Sequence, residues 1–187
     1  MRLKKREISV LVTAVGGRSV GYQILESLKL SVNPYRIVTT DADPFSPGLY
    51  EAPVSYLLPP ANDKDYMDRF LEILRKEKIE VVLPGSQPEV RVIAQDKKLI
   101  EDNGAIPIVS SYKVVENSFD KKKLSVFLKK NNILTPPTVE LSSPNKAYSL
   151  KFPIVIKPSK DSSGSRGVHI VKDMNELRIF FTDFQRD

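Results

Sequence analysis

Apolar positions along the first 110 residues follow two alternating patterns. Short runs of β-branched and other apolar residues predict buried strands, and amphipathic stretches between them predict helices. Strands that alternate with helices in this way predict an α/β fold with a Rossmann-like parallel sheet. The predicted strands are ISVLVT (8–13), YRIVTT (35–40), VSYLL (54–58), IEVVLPG (79–85) and AIPIVS (105–110), and the predicted helices cover 20–30, a stretch from residue 63 onward, and 88–102.

The pattern changes near Tyr112, where a second unit with the order β–loop–β–α begins. Two adjacent prolines exclude a helix from the segment that precedes its strands. We therefore predict two domains, 1–111 and 112–187. The elements of the second are a basic amphipathic helix DKKKLSVFLKK (120–130), an extended segment NNILTPPTVEL (131–141), strands FPIVIKP (152–158) and GVHIVK (167–172) around a Ser/Gly loop, and a helix MNELRIFFTDF (174–184).

Composition narrows the chemistry that the chain can perform. Hydrophobic residues make up 41% and charged residues 28% of its 187 residues, which is ordinary for a globular protein. The chain has no cysteine, which excludes disulfides, zinc–thiolate sites and thiol catalysis. Its one histidine, His169, lies inside a predicted strand without a partner motif. We therefore expect neither a Ser-His-Asp triad nor a histidine-based metal site.

Charge and hydropathy bear on partners and location. The net charge of +6 suits polyanions, but the basic residues cluster only at 4–6 and 121–123, so we expect no nucleic-acid partner. No apolar run approaches the ~20 residues that span a bilayer, and no signal peptide is recognised. We expect a cytoplasmic protein with no membrane partner.

The first glycine-rich turn is AVGGRSVG (14–21), between the first strand and the first helix. A helix N-terminus with adjacent glycines can hold a phosphate through its unpaired N–H groups. The dinucleotide fingerprint G-x-G-x-x-G is absent, because Arg18 stands where its second glycine belongs. A phosphate site and a tight turn without ligand are both compatible with this pattern.

Several residues fall near the carboxyl ends of predicted strands, where parallel sheets bind ligands. They are Gly16, Gly17, Ser19, Asp41, Asp43 and the segment 84–89. Asp41 ends the second strand, Glu89 begins a helix after Gly85, and Gly17 lies in the first turn. We take Gly17, Asp41 and Glu89 as candidate substrate contacts. Loop structuring explains Asp41 as well, and a favourable helix dipole equally explains Glu89.

Lys157 ends a strand directly before Pro158 and precedes SSGSRG at 162–167. Consecutive N–H groups, hydroxyls and two glycines can wrap phosphate oxygens as an anion nest while the lysine neutralises their charge. The segment is not a Walker A loop, since it lacks the terminal Gly-Lys-Ser/Thr. By itself it also fits a plain hairpin loop.

In combination, these motifs resemble the ATP-grasp superfamily. FPIVIKPSKDSSGSRGVHIV resembles its phosphate-binding hairpin, and so does the preceding order of Asp120-Lys121 at a helix start followed by NNILTPPTV. VLVTAVGGRSVGYQILESLK and VVLPGSQPEV resemble the pre-ATP-grasp domain of carbamoyl-phosphate-synthase-like and biotin-carboxylase-like members. The resemblance covers essentially the whole chain. It implies a Rossmann-like pre-ATP-grasp domain followed by a smaller α+β ATP-grasp subdomain.

The resemblance also implies residue roles. It places Lys121 and Lys157 on the phosphates of ATP, with Lys122 and Lys123 leaving the register of the first lysine open. Val155 and Ile156 would lie near the adenine or in the core. The residues implied for the loop over the phosphates are Ser163, Gly164, Ser165 and Gly167, and those for part of the acceptor pocket are Gly17, Asp41 and Glu89.

The implied activity is an ATP- and Mg²⁺-dependent ligase that joins a small-molecule carboxylate to an amine-type nucleophile through an acyl phosphate. In this superfamily a second subdomain supplies the magnesium ligands and the adenine hinge, and neither follows Asp187. We therefore expect the N-terminal portion of a longer ligase, inactive by itself, with no catalytic or metal residue assigned to it. Related enzymes often form homodimers.

Two other functions compete with this one. The chain would alternatively be a non-catalytic nucleotide-binding or regulatory module, complete at 187 residues. A dinucleotide-dependent oxidoreductase also fits the β–α–β start, although the missing fingerprint argues against it.

Overall fold

The computed structural model describes residues 6–159 and 167–184. The chain divides into two compact units, Met1–Val115 and Glu116–Asp187. The helix Tyr112–Phe119 contains the division between them. The domain boundary that the sequence predicts after residue 111 therefore stays a prediction.

The first unit is built on a five-stranded, fully parallel sheet with the order β3-β2-β1-β4-β5. The order β3-β2-β1 is that of one half of a doubly wound α/β fold, and β4 and β5 extend the sheet on the other side of β1. The strands are β1 (Ile8–Thr13), β2 (Tyr35–Asp41), β3 (Val54–Leu57), β4 (Val81–Leu83) and β5 (Ile106–Pro107).

Both faces of this sheet are covered, which explains why β1 is a continuous apolar run rather than an alternating one. Leu11 and Val38 lie in the core on one face, while Val10, Val12 and Ile37 lie in the core on the other. The helices that accompany the sheet are α1 (Val20–Lys29), α2 (Gly48–Glu51), α3 (Tyr66–Glu77), α4 (Gln87–Gln95) and α5 (Lys97–Asp102). Helix α6 (Tyr112–Phe119) contains the division between the two units.

The helices of this unit differ from the prediction at two points. The single helix predicted over 88–102 is divided at Asp96, whose backbone leaves the helical region at φ −99° and ψ 21°. Aspartate is a poor helix former because its side chain competes for backbone groups. Helix α2, of four residues, was not predicted, since one turn is too short to show a periodicity.

The second unit contains an antiparallel two-stranded sheet, in which Val155 is paired with Ile170. The predicted strands and closing helix are present, and Ala147, Ile154, Val171 and Leu177 form their core. Its elements are α7 (Lys121–Lys130), a 3₁₀ helix (Pro144–Ser149), β6 (Ile154–Ile156), β7 (His169–Val171) and α8 (Met174–Phe184). In the parts of the chain described, no helix is long and apolar enough to cross a bilayer.

Candidate functional site

A cavity of about 460 Å³ lies at the carboxyl ends of the first unit's strands. It brings together two of the three candidate substrate contacts, Asp41 and Glu89, while Gly17 is not among its lining residues. The lining residues are Ala14, Asp41, Ala42, Pro59, Pro60, Ala61, Asn62, Ser86, Pro88 and Glu89.

Glu89 is a buried carboxylate in this cavity, with 7% of its surface exposed. Thr13 and Ser86 donate their hydroxyl protons to its Oε2 at 2.7 and 2.8 Å, and Tyr66 donates to its Oε1 at 3.4 Å. Burial raises the pKa of Glu89, and the hydrogen bonds from Thr13 and Ser86 oppose that rise only in part. Glu89 is therefore held by hydroxyls from three different parts of the fold.

These hydroxyl partners were missed in the sequence. Ser86 had a readable signal, because Ser-x-x-Glu before an apolar run is a capping-box pattern, and Ser86 is indeed the N-cap of α4. Thr13 lies at the carboxyl end of β1, which is a ligand-proximal position in a parallel sheet. Tyr66 carried no functional signal, since its spacing assigned it to the apolar face of α3.

Asp41 ends β2 and structures the loop that follows it. Its Oδ1 accepts a hydrogen bond from the Asp43 amide at 3.0 Å. Its Oδ2 lies on the side of the glycine-rich turn, 3.7 Å from where a Cβ on Gly16 would be. The loop-structuring role and a place in the cavity are thus combined in one side chain.

The glycine-rich turn is a tightly packed strand-to-helix connection. Ala14 and Arg18 adopt left-handed backbone conformations with φ of 51° and 63°, which are uncommon for residues other than glycine. Ser19 caps α1, its hydroxyl accepting from the Tyr22 amide and donating to the Ala14 carbonyl. Arg18 thus adopts the kind of backbone conformation that glycine adopts most readily.

In the second unit, three segments meet around the candidate phosphate lysines. Lys157 is exposed directly after β6, and the Lys121 amide at the start of α7 donates to the Ser159 carbonyl at 2.9 Å. Gly167 has φ +66°, and a Cβ there would lie 2.9 Å from Cγ of Pro158, so glycine is required by both conformation and space. Ser163, Gly164 and Ser165 lie outside the described residues.

The three consecutive lysines at the start of α7 differ in their surroundings. Lys121 is partly buried, whereas Lys122 forms an ion pair of 2.6 Å with Glu140. An open groove of about 660 Å³ along α7 is lined by Lys122, Lys123, Phe127 and other residues. Neither Lys121 nor Lys157 lines this groove.

The two faces of the β6–β7 hairpin are distinct. Ile154, Ile156 and Val171 point into the core of the second unit or pack against it. On the opposite face, the register-paired Val155 and Ile170 are 60% and 67% exposed. This apolar face is adjacent in sequence to Lys157.

No group of three or more histidine, aspartate or glutamate side chains suited to a metal ion occurs within 6–159 and 167–184. His169 instead packs its ring 4.9 Å from the ring of Phe180, consistent with a structural strand residue.

Residues 10–109 match the family model described as the PylC-like N-terminal domain. The chain belongs to this family. The matched region contains all five strands of the parallel sheet except the first two residues of β1. It also contains the residues that line the cavity at the edge of the sheet.

Over nearly its full length, the PylC-like chain is also similar to larger proteins. It is 25% identical over 201 residues, or 95% of the chain, to the carbamoyl phosphate synthase large chain of Helicobacter pylori, and it spans 17% of that relative's length. Among solved structures, N5-carboxyaminoimidazole synthetase of Staphylococcus aureus complexed with ADP has a TM-score of 0.69 at 16% identity, covering 96% of the chain and 46% of that protein.

The biotin carboxylase domain of 2-oxoglutarate carboxylase from Hydrogenobacter thermophilus, solved with MgADP, ADP and bicarbonate, has a TM-score of 0.65 at 20% identity. The alignment covers 94% of the PylC-like chain and 40% of that domain. The family match and the carbamoyl phosphate synthase relative confirm the resemblance to carbamoyl-phosphate-synthase-like members of the ATP-grasp superfamily. The solved structures confirm the α/β fold class. The chain therefore spans less than half the length of each of these three proteins.

Proposed function

We propose that the chain is the N-terminal portion of an ATP-dependent ligase that joins a small-molecule carboxylate to an amine. The observation that carries this proposal lies in the second unit, where the start of α7, the end of β6 and Gly167 meet beside the exposed Lys157. A lysine on a strand end beside a helix start is suited to hold a chain of phosphate groups.

In this proposal Lys157 and Lys121 contact the phosphates of ATP. The hydrogen bond from the Lys121 amide to the Ser159 carbonyl holds the start of α7 near the end of β6, which Lys157 directly follows. Lys122, in contrast, is paired with Glu140. We therefore favour Lys121 over Lys122. The exposed Val155 and Ile170 would offer an apolar face to the purine ring, and residues 162–167 would cover the phosphates.

ATP supplies the phosphoryl group, and bound Mg²⁺ would neutralise part of the charge on its phosphates. We assign Mg²⁺ to no residue of this chain. The two lysines would contribute fixed positive charge where negative charge develops, usually the largest catalytic contribution in such reactions.

The reaction that follows needs two displacements. A carboxylate oxygen attacks the terminal phosphorus and ADP leaves, which gives an acyl phosphate. The amine nitrogen then attacks the acyl carbon, phosphate leaves, and the nitrogen loses a proton. The cavity that contains Asp41 and Glu89 would form part of the acceptor pocket, with the Gly17 turn beside it. We expect the 187-residue chain to bind nucleotide without completing turnover.

The test is isothermal titration of MgATP into the chain and its variants. Lys157→Ala and Lys121→Ala should each weaken binding about tenfold or more, since a charge-assisted hydrogen bond contributes about 1.5–3 kcal/mol. Lys129→Ala removes the same charge from the far end of α7 and serves as the matched control. Equal losses in all three variants, or no saturable binding by the unaltered chain, would contradict the nucleotide site.

A further inference from the structure

The groove along α7 in the second unit is built from a side of this helix that the proposed nucleotide contacts do not use. Lys121 and Lys157, the lysines assigned to the phosphates, do not line it. The residues that α7 contributes to its lining are Lys122, Lys123, Val126, Phe127 and Lys130. This surface therefore has no part in the proposed reaction.

The five residues from α7 share one side of the helix. At about 100° per residue, their positions span about 140° of its circumference. The middle of this side is an apolar patch of Val126 and Phe127, which are 60% and 47% exposed. Along the helix, Lys123 lies one turn before this patch and Lys130 one turn after it. No residue of α7 is buried, so the patch is open to a partner.

The charge of the groove is positive where a partner would meet it. Glu140 is paired with Lys122 at 2.6 Å, and Oδ1 of the buried Asp120 accepts from two backbone amides of α7. Lys123 and Lys130 form no ion pair within residues 6–159 and 167–184. Two cations beside an apolar patch favour an occupant that is both acidic and apolar.

This combination argues against three other occupants. A two-fold contact between copies of the chain would place the same lysines against each other, which is unfavourable. A helix that lies on a bilayer has its lysines and its apolar residues on opposite faces, whereas here they share one side. The phosphate backbone of a nucleic acid would pair with the lysines and leave the apolar patch uncovered.

We propose that the groove along α7 binds an acidic amphipathic helix of another polypeptide. A rise of 1.5 Å per residue places Lys123 and Lys130 about 10 Å apart along α7, with the apolar patch between them. A helix that matches this spacing carries acidic residues at i and i+7 and apolar residues at i+3 and i+4. Amphipathic helices dock in grooves through anchors of this spacing. The inference does not depend on the ligase assignment.

The experiment is a fluorescence-anisotropy titration of the whole chain into a labelled, alanine-based helical peptide. The peptide is about 18 residues long, enough to form a helix, with glutamates at i and i+7 and leucines at i+3 and i+4. The matched control has the same composition, with the leucines moved to i+2 and i+5 on the opposite side. We expect saturable binding of the first peptide, at least tenfold tighter than that of the control. Equal affinities, or no saturable binding of the first peptide, would overturn the proposal.

Variants of the chain assign the binding to the groove. Phe127→Ala should weaken peptide binding about tenfold or more, as expected for a central aromatic anchor. Lys130→Ala should weaken it about twofold to fivefold, as expected for an exposed ion pair. Lys129→Ala removes the same charge from a residue that does not line the groove and should change nothing. Equal losses in Lys129→Ala and Lys130→Ala would contradict the site.

A charge exchange separates recognition from folding. Lys123→Glu places an acidic residue in the first turn of α7, where the helix dipole favours it, so the helix should be retained. This variant should lose the acidic peptide and recover binding when lysine replaces the facing glutamate. Two peptides, with lysine at i or at i+7, cover both orientations of the partner helix. Recovery with neither peptide would refute the pairing of Lys123 with an acidic residue.

Two further measurements exclude the other readings. Binding to phosphatidylserine vesicles without peptide binding would overturn the proposal in favour of a lipid surface, and self-association that Phe127→Ala abolishes would do so in favour of a second copy. Phe127→Ala should bind MgATP as the unaltered chain does. Loss of ATP and peptide binding together in this variant would overturn the separation of the groove from the nucleotide site.

Discussion

At Gly21, close packing requires a glycine although the helix propensity of the position favours other residues. It lies in the first turn of α1, where alanine would ordinarily favour the helix by about 1 kcal/mol. A Cβ at this position would nevertheless lie 2.2 Å from the Thr13 carbonyl oxygen and 2.4 Å from that of Ala14. Gly85 approaches the same backbone, its own Cβ position being 2.5 Å from Gly21 Cα. The close approach of three backbone segments decides the residue type.

Gly21→Ala should therefore lower the free energy of unfolding by about 2–3 kcal/mol, because the backbone contacts cannot yield as a flexible side chain would. Urea denaturation measures the change. Gly17→Ala is the matched control, since among the described residues its Cβ would meet Pro47 Cγ alone, at an ordinary 3.5 Å. This variant should stay within about 0.5 kcal/mol of the unaltered protein. A Gly21→Ala protein as stable as the parent would show that the turn relaxes.

At the scale of elements, α7 depends on its cap more than on its packing. None of its residues is buried, so little apolar burial stabilises it. Its N-cap, Asp120, is itself buried, and the Asp120 Oδ1 accepts from the amides of Lys122 and Lys123 at 3.0 Å. These bonds satisfy two of the four amides that every helix start leaves open. The cap thus fixes the helix start that presents Lys121.

Asp120→Ala should destabilise α7 by about 1 kcal/mol, and amide hydrogen exchange along residues 121–130 should accelerate about fivefold accordingly. Asp120→Asn keeps an acceptor oxygen at the cap and should cost only a fraction of that. If exchange in α7 were equally fast in both variants, the charge rather than the cap geometry would be responsible.

At the scale of the molecule, each unit has a core of its own. Leu25 is fully buried in the core on one face of the parallel sheet, and Leu177 is fully buried in the core of the second unit. The two leucines are matched in type and exposure. A loss of packing at either leucine should therefore destabilise first the unit that contains that leucine.

Leu25→Ala and Leu177→Ala should each cost about 2–5 kcal/mol in the unit concerned. Hydrogen exchange resolved by residue should show protection falling in residues 6–115 for the first variant and in residues 116–184 for the second. A uniform loss across both units in either variant would mean that the chain unfolds as one cooperative body.

The sequence predicted the fold better than the site. Continuous apolar runs identified the strands because a parallel sheet is buried on both faces. Strand ends define the ligand edge of such a sheet, and the two candidates chosen for that reason, Asp41 and Glu89, line one cavity there. The partners of Glu89 were not found, since Thr13 is 76 residues away from it and Tyr66 is 23. No local pattern reports contacts of that range.

The sequence by itself determined the alternation of strands and helices, the change of pattern near Tyr112 and the pair of strands before and after Lys157, because hydrophobic periodicity and turn residues act locally. Tertiary structure alone decided that Arg18 adopts a left-handed conformation and that three hydroxyls converge on one carboxylate. These features depend on the packing of segments that are distant in the chain, and hydrophobic periodicity does not report such contacts.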